Sequence, residues 1–316
     1  MNNKKVTVVQ CNDIHLADKS PASRKTSYSK EVFDKVRTVV EIAHAIEADG
    51  ILLAGDVFHN PRKISHFSVN TFIEIFKSFS KQIFIVPGNH DISAKVPFDH
   101  AAIATIGALD NVTILRDGRV HKPFDDKAWF TIAGLEWTYS EDENHYTNLL
   151  ENIEQKVSLL GMHAPILDEE AKFWTLRRSV ISSTDRARCV AYGHLHSQAP
   201  IATVGNVVFS NPGALTRSSI NEKNNIPSIA VLDFYDNNTC EVEYVSINHL
   251  PAEDVFYLEY AISVKEAKSA VKSFISSLES ATVQSVDGEG LMSAIEQVCD
   301  DKEVVDLARD IFRKLD

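Results

Sequence analysis

The sequence predicts an α/β fold built on parallel strands, and three observations carry that expectation. Short β-branched apolar runs alternate with segments of helical period. The runs end in polar loops that carry aspartate, asparagine or histidine. After residue 200 the alternation gives way to paired β-runs around turn residues, and from about residue 262 to charged helical periods.

The first strand is KVTVVQ, residues 5–10, followed by polar loop residues. A helix comes next, because Val32, Phe33, Val36, Val39, Val40, Ala43 and Ile46 share one face, with His44 at the margin of the core. GILLAG (50–55) is a second buried strand, and HFSVNTFIEIFKSF (66–79) a second helix with Phe67, Phe72, Ile75 and Phe76 as its stripe. KQIFIVPG (81–88) is the third strand. The repeated βαβ order implies parallel strands joined by right-handed crossovers.

VTIL (112–115), WFTIAGL (129–135), KVSLLGM (156–162) and RCVAYG (188–193) are further strands. IATVGNVVFS (201–210) and SIAVLDFYDNNTCEVEYVSI (228–247) are expected as antiparallel hairpins, the second turning at Asp236, Asn237 and Asn238. VKEAKSAVKSFISSL (264–278) and DKEVVDLARDIFRKL (301–315) read as amphipathic helices around a polar linker. The expected organisation is a main domain over residues 1–250 and a small helical appendage over 251–316.

A chain of 316 residues with 44% hydrophobic and 24% charged residues has material for a real core. Cys11, Cys189, Cys240 and Cys299 form no CxxC pair, which points to free thiols in a reducing compartment. There is no secretory leader pattern and no run of the roughly 20 apolar residues a membrane span needs. A cytoplasmic address without membrane contact is expected. The net charge of −12 argues against gripping nucleic acid by charge alone. Action on DNA would need positive charge from bound metals or a basic partner.

The strand ends carry the chemistry. They deliver Asp13 and His15, then Asp56 and His59, then Asn89, His90 and Asp91, then His163, and finally His194 and His196. The carboxyl edge of an open α/β sheet is where ligands bind. Carboxylate, amide and imidazole without cysteine suit Mn²⁺, Fe²⁺ or Zn²⁺. The D-x-H and H-x-H spacings put both side chains of each pair on one side of an extended segment. Seven candidate ligands exceed one tetrahedral ion and suit an ion pair bridged by a carboxylate, for which Asp56 is placed after Gly55.

The series DIH, GDVFH, GNHD, HAP and GHLH, in order over residues 13–196, resembles the calcineurin-like metallophosphoesterase superfamily. The extra histidine of GDVFH and the segment NPGALTRSS (211–219) resemble its SbcD-type DNA-repair nuclease branch. The resemblance implies a two-sheet sandwich with flanking helices. It also implies one ion on Asp13, His15, Asp56 and His196 and a second on Asp56, Asn89, His163 and His194.

Mn²⁺ is the ion expected by that resemblance, with Mg²⁺, Fe²⁺ and Zn²⁺ as alternatives. A metal pair supplies hydroxide near neutral pH to attack phosphorus in line. His90 is the candidate acid for the leaving oxygen, Asp91 the group that orients an imidazole, and His59 the residue that positions phosphate or His90. The branch implies DNA as substrate, a partner of the SbcC-like, SMC-family coiled-coil ATPase type, and a homodimer. The chain is short for that branch after its hairpins, as in reduced phage recombination systems. The same metal pair also serves phosphatases and small-molecule phosphodiesterases, while an idle scaffold subunit would have lost ligands that this chain keeps.

Arg177, Arg178 and Arg217 are candidates to touch a phosphodiester backbone. Trp137, Phe173 and Trp174 are expected in core packing. His44, His66, His100, His121, His145 and His249 lie outside the strand-end motifs and are expected to be structural or solvated.

Overall fold

The computed structural model describes residues 5–169 and 171–258. In chain order the elements are β1 (Lys5–Cys11), α1 (Tyr28–Ala45), β2 (Gly50–Ala54), α2 (His66–Lys77), β3 (Gln82–Val86), α3 (Ala102–Gly107), β4 (Val112–Ile114) and β5 (Ile132–Leu135). They continue with α4 (Glu143–Glu151), β6 (Val157–His163), α5 (Arg178–Ser183), β7 (Ala187–Gly193), β8 (Ala202–Val204), β9 (Val207–Ser210), β10 (Ser228–Tyr235), β11 (Cys240–Ser246) and α6 (Ala252–Val255). The βαβ series is present, but its strands are dealt into two sheets, ordered β11-β10-β1-β2-β3-β4 and β5-β6-β7-β9-β8.

The two faces of each strand explain the long apolar runs. Val6 and Val8 of β1 point between the sheets, where they meet Leu52, Phe84, Leu159, Cys189 and Ala191, while Val9 and Cys11 point the other way toward α1 and α2. Likewise Leu160, Met162, Val190 and Tyr192 face outward onto α4 and α5. Strands covered on both sides lose the alternation of a half-exposed strand. Each such Val, Leu or Phe contributes about 1.5–3 kcal/mol by leaving water, so neither face can be polar without a large loss.

Both expected hairpins are antiparallel, and they join different sheets. β8–β9 extends the second sheet, with Thr203 opposite Val208. β10 crosses to the first and pairs antiparallel with β1, from Lys5 opposite Tyr235 to Gln10 opposite Ala230. A polar strut ties the sheets together at the end where the motif loops emerge. Gln10, Asn12, Ser210 and Asn211 are all fully buried there. Asn12 Nδ2 donates to the Tyr192 carbonyl at 2.6 Å and to Asn211 Oδ1 at 3.0 Å, and Ser210 Oγ donates to Gln10 Oε1 at 2.7 Å.

Two expectations need correction. Phe67, in the first turn of α2, is 73% exposed and meets Phe33 edge to face. Ile46 is half out in solvent where α1 ends. One compact unit runs to Leu258. Val255 and Phe256 are buried, and Tyr257 N–H donates to the Ser23 carbonyl at 2.9 Å. The two expected C-terminal amphipathic helices lie outside the described residues. No helix among the described residues is long and apolar enough to cross a membrane.

Candidate functional site

The loops after β1 and β2 continue side by side beyond the sheet. Asp13 N–H donates to the Gly55 carbonyl at 3.2 Å, His15 N–H to Asp56 at 2.8 Å and Leu16 N–H to Val57 at 2.9 Å. This arrangement bends the backbone at the functional residues themselves. Asp13 (φ 47), His15 (φ 50), Asp56 (φ 48) and His194 (φ 96) all have the left-handed conformation that non-glycine residues seldom adopt. Strain of this kind persists only where the surroundings over-determine it, and it collects at functional sites.

Two groups of side chains converge on either side of Asp56. On one side, His15 Nε2 lies 3.0 Å from His196 Nε2 and 3.5 Å from Asp56 Oδ2. On the other, Asn89 Oδ1 lies 3.0 Å from His163 Nε2 and 3.1 Å from His194 Nδ1, with His163 Nε2 3.4 Å from Asp56 Oδ2. Asp13 reaches both sides, sharing one cluster with His15 and His196 and another with Asp56 and His163, with ligand atoms within 4.8 Å of one another in each. Its carboxylate also accepts the His194 N–H at 3.1 Å.

Hydrogen bonds on the far sides of the rings assign their nitrogens. His163 Nδ1 faces the Ala54 carbonyl at 3.1 Å, and His196 Nδ1 faces the Glu222 carboxylate at 2.5 Å. Both partners accept, so both Nδ1 atoms carry hydrogen and both Nε2 atoms are left for the centre. His15 Nδ1 is buried without a partner among the described residues, which ordinarily costs about 1–3 kcal/mol.

A centre made of acceptors needs positive charge. Burial works against a His163 cation, but Asp56 and Asp13 hold its pKa at about 9. Asp56 is kept well below the usual carboxylate range, against its own desolvation, by His163, His15 and His90. Burial, with Asp56 and His163 pulling in opposite directions, brings His194 down to about 4; burial also takes His15 to about 3 and lifts Asp13 to about 6. The donor set is nitrogen and oxygen only, and it fits divalent Mn, Fe, Zn or Mg. Asp13, His15, Asp56 and His196 would hold one ion, and Asp56, Asn89, His163 and His194 the other.

The sequence model described as calcineurin-like phosphoesterase matches residues 6–198, from the start of β1 to just past His196. The chain belongs to this family. A relative named as a probable cyclic nucleotide phosphodiesterase from Coxiella burnetii is 21% identical over 222 residues, which covers 64% of this chain and 80% of that one. One crystal structure superposes with a TM-score of 0.51 at 14% identity, covering 78% of this chain and 100% of that one, a likeness of fold. A Thermus thermophilus protein gives 0.49 at 11% identity, covering 76% of this chain and 99% of that one.

Around the phosphoesterase centre, His90 stands beside the ligands. Its N–H donates to Asp56 Oδ1 at 2.7 Å, and its Nδ1 meets the His59 carbonyl at 2.8 Å, so Nδ1 carries the hydrogen and Nε2 remains available. The His59 ring stacks on His90 at 5.1 Å between centroids and 29° between planes. His59 thus contacts His90 through both its main chain and its ring.

Asp91 does not orient an imidazole. Its buried carboxylate accepts N–H bonds from Phe58 at 2.8 Å, Gly88 at 3.0 Å and Val57 at 3.1 Å, which pins the loop after β2 to the loop after β3. The three arginines are also engaged elsewhere. Arg177 forms a two-pronged pair with Glu143, and Arg178 bonds Asp168 and the Tyr192 hydroxyl. Arg217 is only 2% exposed and donates to the Lys223 and Leu250 carbonyls, so it braces loops and offers nothing to a phosphodiester.

Trp137 is not simply core. Its ring stacks on His194 at 4.7 Å and 26°, fixing that imidazole from the outside. Apolar periodicity hides such a residue, because a tryptophan at a strand end looks the same whichever ring it covers. Trp174 does stack in the core, on Tyr146, while Phe173 is exposed.

Glu222 is the other residue the motifs do not reveal. It ends a capping box begun by Ser219, and the Ser-x-x-Glu pattern SINE (219–222) is its signal. Holding His196 Nδ1–H fixes that ring's tautomer and raises its basicity. Glu222→Gln is expected to weaken divalent metal affinity roughly 10- to 100-fold with little change in unfolding midpoint, as measured by competitive chelation. Unaltered affinity would remove Glu222 from the site.

Proposed function

We propose that the protein is a phosphodiesterase dependent on two divalent metals, acting on DNA as a nuclease of the SbcD type with Mn²⁺ as its ion. The observation that carries this reading is the convergence of two imidazole–oxygen groups on Asp56 with the free edge of His90 beside them. A bound metal pair supplies a water ionised near neutral pH and neutralises charge on the phosphoryl oxygens. The chain's own residues supply the rest. His90, with Nδ1–H tied to the His59 carbonyl, carries at Nε2 the proton that the leaving oxygen takes up. Trp137 and Glu222 hold His194 and His196 in the orientations their roles require.

The DNA assignment rests on the GDVFH histidine and the NPGALTR segment. Asn211 gives that segment a physical task, donating to the Leu195 carbonyl at 3.0 Å and so holding the loop between His194 and His196. On this reading an SMC-family ATPase feeds DNA ends to a dimeric nuclease in the cytoplasm. The name of the Coxiella burnetii relative favours a second reading, a phosphodiesterase acting on a small nucleotide.

Mn²⁺-loaded protein offered linear DNA, a cyclic nucleotide, bis-p-nitrophenyl phosphate and p-nitrophenyl phosphate separates the cases. Cleavage of DNA and of the synthetic diester, without turnover of the monoester, is expected. Turnover of the cyclic nucleotide in place of DNA moves the assignment to the second reading. Preference for the monoester overturns both.

A further inference from the structure

Beside His59 lies a cavity of about 640 Å³ that none of the metal ligands lines. Its walls include Lys19, Ser20, His59, Asn60, Lys63 and Ser218. That size is in the range of cavities that bind ligands. We infer that this cavity is a subsite for an anionic group on the leaving-group side of the substrate, a second phosphate of an oligonucleotide. The inference rests on the phosphodiesterase reading above and adds the place where a second phosphate of that substrate is held.

The side is set by His90. The ring that protonates the leaving oxygen stacks on His59, and His59 is also the wall through which the cavity meets the centre. The cavity is therefore one ring away from the imidazole assigned to the leaving oxygen. The charge is set by Lys19 and Lys63. Both are exposed, and neither side chain has an ion pair or hydrogen bond among the described residues.

The cavity's carboxylate, Asp18, stays ionised, because the groups that bond it at the start of α2 are neutral donors, and it offsets one of the two lysines, leaving the wall positive. Oδ1 accepts from Ser65 Oγ at 2.7 Å and Ser68 Oγ at 2.6 Å, and Oδ2 from Ser65 N–H at 2.6 Å. Asn60 sets the approach of Lys63 by accepting the Arg62 and Lys63 N–H groups at 3.1 and 2.9 Å. Two ammonium groups against one carboxylate in this cavity, in a chain of net charge −12, mark a local reversal of sign.

The test compares the parent with Lys19→Gln/Lys63→Gln, both loaded with Mn²⁺, on single-stranded oligothymidylate and on bis-p-nitrophenyl phosphate. The ratio of kcat/KM for the oligonucleotide to that for the synthetic diester is expected to fall about tenfold. The slope of log kcat/KM against log salt for the oligonucleotide is expected to shrink by about 1.4, the value for two lost phosphate contacts on a single strand. Lys63→Gln alone is expected to give about half of each effect. A ratio within twofold of the parent, or an unaltered slope, overturns the subsite. A parent that cleaves bis-p-nitrophenyl phosphate but not the oligonucleotide also overturns it while leaving the phosphodiesterase reading intact. A parent that cleaves only the monoester brings down that reading itself.

Discussion

His90→Ala is expected to slow phosphodiester cleavage about 10²- to 10⁴-fold, the usual contribution of a positioned acid, while two ions per chain remain bound. The separation is possible because the tie from this residue to Asp56 runs through its main-chain N–H, which alanine keeps. Metal content by mass spectrometry and turnover of bis-p-nitrophenyl phosphate would be read on the same sample. His59→Ala should cost less, because the carbonyl that receives His90 Nδ1–H survives and only the stacked ring is lost. A His90→Ala protein with full metal content and parental turnover would show that the leaving oxygen draws its proton from elsewhere.

The second large effect concerns a residue with no chemistry of its own. Gly55 has φ +93, and a Cβ there would stand 1.8 Å from His163 Nδ1. Gly55→Ala is expected to destabilise the fold by about 2–5 kcal/mol, combining about 1–2 for left-handed strain with about 1–3 for overpacking. Denaturant titration reads the loss. The double variant Gly55→Ala/His163→Ala should recover the overpacking part, since the imidazole that blocks the new methyl group is gone. Equal losses in both backgrounds would mean that the clash is relieved by some other movement. Gly88 and Gly193 meet the same demand, with a Cβ 2.1 Å from Asp56 Oδ1 in one case and from the Ala54 carbonyl in the other. At Gly55 and Gly88 a candidate ligand occupies the side-chain space, and at Gly193 the main chain of β2 does.

Much of this is legible in the sequence. The strand-end position of Asp13, Asp56, Asn89, His163 and His194 follows from apolar runs that stop at polar residues, and a shared sheet edge then brings them together. The dealing of strands into two sheets is not legible from hydrophobicity, because β1, β2 and β3 are apolar on both faces and do not say which neighbour each face meets. Asp91 misleads for a related reason. A carboxylate next to a histidine looks like its partner, yet the tight turn points Asp91 back at three amide hydrogens that have no other acceptor. Arg217 misleads because its charge suggests a phosphate, whereas two carbonyls from distant loops claim it. Glu222 and Trp137 act on rings remote in sequence, and no local pattern names the ring.

The left-handed backbone at Asp13, His15, Asp56 and His194 sets the interests of folding and of chemistry against each other. At each of these positions glycine would relieve the main chain, and selection for heat resistance alone would drift that way. Thermostabilised descendants of this protein should therefore gather inactivating replacements at its ligands first, unless the screen also demands turnover.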